Sequence, residues 1–186
     1  ITLEECSELL KLIEDMKLPY CQYILYKKLA DMIMLKQRFE EAFSYYTMAM
    51  NILNDNNFKA EQIKIYNNMG ICMLKLLRYD EAIYYFNSSI VLCNNLDMFD
   101  LYPRAQHNLS LAYTSILKLD DALDCIYKAY EKLDKQENKP LYIKLKIIEA
   151  SCYDSKSDFQ RCIEVYKELL KDKKDKGLGV FNTPCG

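Results

Sequence analysis

Residues 39–53 read Phe-Glu-Glu-Ala-Phe-Ser-Tyr-Tyr-Thr-Met-Ala-Met-Asn-Ile-Leu, and their opening returns three times. Phe39-Glu40-Glu41-Ala42, Tyr79-Asp80-Glu81-Ala82, Leu119-Asp120-Asp121-Ala122 and Phe159-Gln160-Arg161-Cys162 follow one another at a constant interval, the step from Ala42 to Ala82. Downstream of the small residue, apolar or small positions recur at +4, +7 and +11. They are Ala42, Tyr46, Ala49, Leu53; Ala82, Phe86, Ser89, Cys93; and Ala122, Ile126, Ala129, Leu133. That spacing is one face of a helix.

Upstream of each motif lies a second helical face. It reads Tyr26, Leu29, Ala30, Ile33; then Tyr66, Met69, Gly70, Met73; then Gln106, Leu109, Ser110, Tyr113. The small residue of each set (Ala30, Gly70, Ser110, with Ala150 in the fourth unit) marks a close approach of two helices. Each unit is therefore a helix A over about 20–37, 60–77, 101–117 and 141–156, a turn, and a helix B over about 39–54, 79–95, 119–135 and 159–174. Pro103 and Pro140 sit near the first turn of their helices, where a missing N–H costs little. The same interval taken backwards from Ala42, Tyr46 and Ala49 lands on Thr2, Cys6 and Leu9. Residues 2–16 thus read as a helix B without its helix A, and we expect a fragment that begins inside a repeat array. The expected organisation is a repeat domain over 1–176: a half repeat at 1–17, then repeats at about 20–57, 60–97, 101–137 and 141–174.

Composition narrows the function. The 186 residues carry a formal net charge of -2, which argues against a grip on a nucleic-acid backbone by this segment. No run of about 18 apolar residues suggests a membrane span. Only Gly70 precedes Gly177 among the 4 glycines, which excludes glycine-rich phosphate loops and predicts few tight turns. The 8 cysteines form no C-x-x-C pair, and His107 is the 1 histidine. They read as buried apolar residues in a reducing cytoplasm, with no metal and no cofactor. No nucleophile, base and orienting group can be assembled, so an enzyme is not expected.

These repeats resemble the tetratricopeptide repeat: the aromatic at Tyr26 and Tyr66, the Leu/Met-then-small pairs at 29–30, 69–70 and 109–110, and the small residues at 42, 82 and 122 carry the likeness. The aromatics at Tyr46 and Phe86 and the small residues at 49, 89 and 129 complete it over about 20–170. The family's usual period, about 34 residues, is shorter than the interval found here. The resemblance implies an all-α, right-handed superhelix whose concave wall is lined by the helices A. Lys146 and Glu149 depart from the apolar pattern, as expected of a terminal repeat with a polar outer face.

A wall that holds a peptide needs side chains that donate and accept at once. Asn68 and Asn108 occupy equivalent positions, each following another polar residue, Asn67 and His107. They are expected to clamp the backbone of a bound segment. Lys64, Arg104 and Lys144 form an equivalent row one turn earlier, suited to a carboxylate. Lys27, Asn68 and Arg104 also match positions of tetratricopeptide domains that clamp a C-terminal carboxylate, although Asp31 and Asn108 depart from that clamp.

The 40-residue spacing, the Tyr-Asn-Asn-Met-Gly segment at 66–70 and the low-glycine composition resemble the peptide-binding domains of the RRNPP quorum-sensing regulators of bacteria. That resemblance implies a cytoplasmic sensor of a short signalling peptide, compatible with a homodimer and with a DNA-binding segment elsewhere. The alternative is a constitutive scaffold for protein–protein interaction, such as a chaperone-tail or complex-assembly adaptor. Residues 177–186 lie outside the repeats, as a tail or as an apolar docking motif of Leu178, Val180 and Phe181.

Overall fold

The computed structural model describes residues 3–174. They form α-helices joined by short turns, with no strand among them. The helices are α1 (Leu3–Asp15), α2 (Pro19–Leu35), α3 (Phe39–Asp55), α4 (Lys59–Lys75), α5 (Tyr79–Asn95), α6 (Tyr102–Ser115), α7 (Leu119–Lys132), α8 (Lys139–Ser155) and α9 (Phe159–Lys174). The bounds follow the expected helices A and B closely, and α1 covers most of the stretch expected as a half repeat. The tail motif at 177–186 lies outside the described residues. The chain divides into two compact units, Ile1–Leu133 and Asp134–Gly186.

In the first unit each helix packs on the next in sequence, and α4 also touches α6. The repeated motif explains the helix starts. Its acidic pair falls in the first turn of α3, α5 and α7, where negative charge meets the positive end of the helix dipole. Arg38 and Arg78, just before α3 and α5, pair with Glu41 and Glu81 at 2.5 and 2.6 Å. The inward face of helix B is dry. Ala42, Tyr46, Ala49 and Leu53 are wholly buried, as are Ala82, Phe86, Ser89 and Cys93. Gly70 shows why its position must be small: a Cβ there would lie 2.5 Å from a ring carbon of Phe86. The corresponding Ala30 and Ser110 are equally buried.

The turns correct one expectation. Scarce glycine predicted few tight turns, yet a left-handed residue closes most helices at a regular spacing: Lys17, Gln37, Asn57, Leu77, Asp97, Leu117 and Ser157. Their φ values lie between 52 and 61°. Hydrogen bonds to the preceding helix hold them there. Gln37 N–H donates to the Met34 carbonyl at 2.9 Å and Arg38 N–H to that of Ile33 at 3.3 Å. Leu77 and Arg78 repeat the pair onto Leu74 and Met73. This is the Schellman closure, usually built on glycine. Here the hydrogen bonds offset the strain of a side chain at positive φ.

The second unit pairs α8 with α9. Lys146 and Glu149 correct a second expectation, for they do not form an exposed polar face. They are 7% and 5% exposed. Lys146 Nζ lies 3.0 Å from Glu149 and 2.7 Å from Glu168 on α9. Burial pulls the Lys146 ammonium toward neutrality, but the two carboxylates outweigh it and hold its pKa above the ordinary lysine value. A buried cation bonded to carboxylates on both helices fixes their register.

Candidate functional site

Four elements of the first unit enclose a pocket of about 200 Å³. Lys27 of α2, Ile63, Lys64, Asn67 and Asn68 of α4, Ser89 of α5, Arg104 of α6 and the preceding Leu101 line it. Five of the expected residues thus meet: Lys27, Lys64, Asn67, Asn68 and Arg104. The repeat register accounts for this, because Lys64 and Arg104 are equivalent positions of the neighbouring helices α4 and α6. Ser89 Oγ donates to the Ile63 carbonyl at 3.0 Å, which ties α5 to the back of the pocket.

Its electrostatics are one-sided. Among the described residues no carboxylate lines the pocket. Lys27 is paired, at 2.6 Å, with Asp31 one turn along α2. Lys64 and Arg104 are exposed and have no ion-pair partner among the described residues. Three cations and one carboxylate leave an excess of two positive charges in a chain whose net charge is -2.

The amides are partly engaged. Tyr46 Oη donates to Asp31 Oδ1 at 2.6 Å, and Asn68 Nδ2 donates to Tyr46 Oη at 3.2 Å. Burial, reinforced by the Asp31 carboxylate, drives the Tyr46 phenol far above its ordinary pKa. The carbonyl oxygen of Asn68 has no donor among the described residues and can act as an acceptor. Asn108 Nδ2 donates to Asn67 Oδ1 at 2.9 Å, so Asn67 keeps its own Nδ2 as a donor. One donor and one acceptor therefore stand on successive residues of α4.

Asn108 and His107 are not among the residues that line this pocket. Asn108 is 8% exposed, does not line the pocket, and meets His107 Nδ1 at 3.0 Å. Its place is behind Asn67, which it orients. Lys144 is exposed on α8, in the second unit.

Sequence reasoning missed the link from Asp31 through Tyr46 to Asn68. The Lys27–Asp31 spacing of four was the available signal. Asp31 accepts from Lys27 through one carboxylate oxygen and from Tyr46 through the other. The thiols agree with the sequence: Cys72, Cys93 and Cys125 are buried, and burial raises their pKa values to about 12, 11 and 12. Cys21 is exposed. No helix of the described residues is long and apolar enough to cross a membrane.

Residues 22–94 match the tetratricopeptide repeat family. No curated protein matches the chain. BtubC (BKLC) from P. vanneervenii is similar in structure, with a TM-score of 0.75 and 18% identity over 90% of this chain and 69% of that one. A putative kinesin light chain of Podosopora anserina, with nearly identical TPR-like repeats, reaches a TM-score of 0.75 and 12% identity over 94% of this chain and 87% of that one. Such identities speak to fold alone. The fold is that of tetratricopeptide repeats, visible in the sequence over residues 22–94 and in the structural likeness over 94% of the chain.

Proposed function

We propose that the chain is a protein-interaction domain that holds a short, acidic polypeptide segment against α2, α4 and α6. One observation carries this reading: Lys64 and Arg104, without ion-pair partners among the described residues, flank a donor and an acceptor amide in a pocket that no described carboxylate lines. An extended segment offers alternating N–H and C=O groups to Asn67 and Asn68 and an acidic group to the cations. The match of residues 22–94 to the tetratricopeptide repeat family supports the interaction reading. The narrower reading, a cytoplasmic quorum-sensing regulator whose ligand is a short signalling peptide, draws on the Asn67–Asn68 pair of α4. It differs in requiring that binding change the helix arrangement, since a ligand shifts a conformation only by its preference between states.

The test is selection of a random peptide display library on the wild-type chain and on Lys64→Glu/Arg104→Glu. Selected peptides should be rich in Asp and Glu and should lose at least about tenfold in affinity for the charge-reversed chain. Peptides that bind both chains equally would refute the assignment. Small-angle scattering with a selected peptide separates the two readings. An unchanged profile fits the scaffold, and a changed one fits the sensor.

A further inference from the structure

Resting on that reading, we propose that the pocket of Lys27, Lys64, Asn67 and Arg104 takes a phosphate monoester carried by the bound segment. The charge count favours a dianion over a carboxylate. Asp31 neutralises one of the three cations, and two remain without partners among the described residues. A carboxylate supplies one negative charge and leaves the second cation uncompensated. A phosphoserine or phosphothreonine carries about 1.5 to 2 negative charges at neutral pH.

The geometry of the donors agrees. Arg104 offers a planar fork that matches two phosphate oxygens, and Lys64, one repeat back on α4, offers a point charge. Asn67 adds a neutral N–H donor whose direction is set by the hydrogen bond that its oxygen accepts from Asn108. Lys27 is held in place by Asp31, so it reaches the site with less side-chain entropy to lose. No carboxylate is among the described lining residues, and the nearby Asp31 is already paired with Lys27. The pocket volume of about 200 Å³ gives the group room, and Ile63 and Leu101 add apolar surface to the lining.

The experiment titrates the full chain, labelled with 15N, with three N-acetylated tripeptides: glycine-phosphoserine-glycine amide, glycine-glutamate-glycine amide, and glycine-serine-glycine with a free C-terminal carboxylate. The side-chain signals of Asn67 and of Arg104 Nε report on the site. The phosphopeptide should bind at least about tenfold more tightly than either carboxylate peptide. Lys64→Ala and Arg104→Ala, both at exposed positions that leave the fold intact, should each lose about tenfold. Arg104→Lys should lose most of that, because the fork is gone. Three peptides within about threefold of one another, or a phosphopeptide affinity indifferent to Lys64→Ala and Arg104→Ala, would overturn the proposal. If display-selected acidic peptides bind at the pocket while the phosphopeptide gains nothing, this inference falls and the interaction reading stands. If the phosphopeptide alone binds and display selects nothing at the pocket, the interaction reading for unmodified acidic segments falls instead.

Discussion

Gly70→Ala tests the close packing of α4 on α5. In the middle of a helix the change should stabilise by about 1 kcal/mol through helix propensity alone. The structure predicts the opposite sign. The new Cβ would meet Phe86 Cε1 at 2.5 Å, Cδ1 at 2.7 Å and Cζ at 3.0 Å. Carbon atoms settle at about 3.5–4.0 Å, so the ring must retreat by about 1 Å. Phe86 is wholly buried and so are Ala82 and Cys93 on its own helix, which leaves little space to retreat into. Overpacking of this kind costs about 1–3 kcal/mol. Set against the propensity gain, it leaves a net loss of about 1 kcal/mol. In a Phe86→Leu background the clash is gone and the same substitution should stabilise by about 1 kcal/mol. The coupling between the sites is then about 2 kcal/mol, well above the additivity error of about 0.5 kcal/mol. Urea unfolding followed by circular dichroism measures all four chains. If Gly70→Ala raises stability equally in both backgrounds, the close-approach argument is wrong.

Three further outcomes follow from the same structure. Leu117→Gly should stabilise by about 0.5 kcal/mol in urea unfolding: Leu117 is 75% exposed at φ 59°, and relief of left-handed strain slightly exceeds the added chain entropy. A loss would mean that its side chain packs. Tyr46→Phe, which gives this repeat the residue type of its equivalent Phe86, should cost about 1.5–3 kcal/mol in the same assay, because it removes a hydrogen bond to a charged Asp31; a neutral result would show that the bond adds nothing. Stability should be flat up to about pH 8 and fall above about pH 9. Cys72, Cys93 and Cys125 keep their protons in the folded state to about pH 12, 11 and 12, where the unfolded chain has lost them, so each thiol costs about 1.4 kcal/mol per pH unit in that window. Urea titrations from about pH 7 to about pH 11 should show the decline, and Cys72→Ala should make it shallower.

The helices were legible because both faces of each repeat obey the helical period and each position returns at the same interval. Gly70 was legible too, since its place in the register said "small" before any coordinate did. The left-handed turns were not. Gln37, Leu77 and Leu117 have no intrinsic preference for positive φ, and only the hydrogen bonds that close the preceding helix place them there. Lys146 and Glu149 misled because their hydropathy said "surface", whereas each is the other's ion-pair partner and Glu168, on the following helix, pairs with Lys146 as well. The site was half legible. Equivalent positions brought Lys64 and Arg104 together, but which amide atoms stay available depends on Tyr46, Asp31 and Asn108, partners from three different helices.

The central claim is that α2, α4 and α6 hold an acidic segment at this pocket. Its most direct test is the side-chain NMR spectrum of the chain with a display-selected acidic peptide. The account predicts saturable shifts of the Asn67 and Asn68 amides and of Arg104 Nε, abolished by Lys64→Glu/Arg104→Glu. Shifts confined to other surfaces, with these three signals unmoved at saturation, would contradict it.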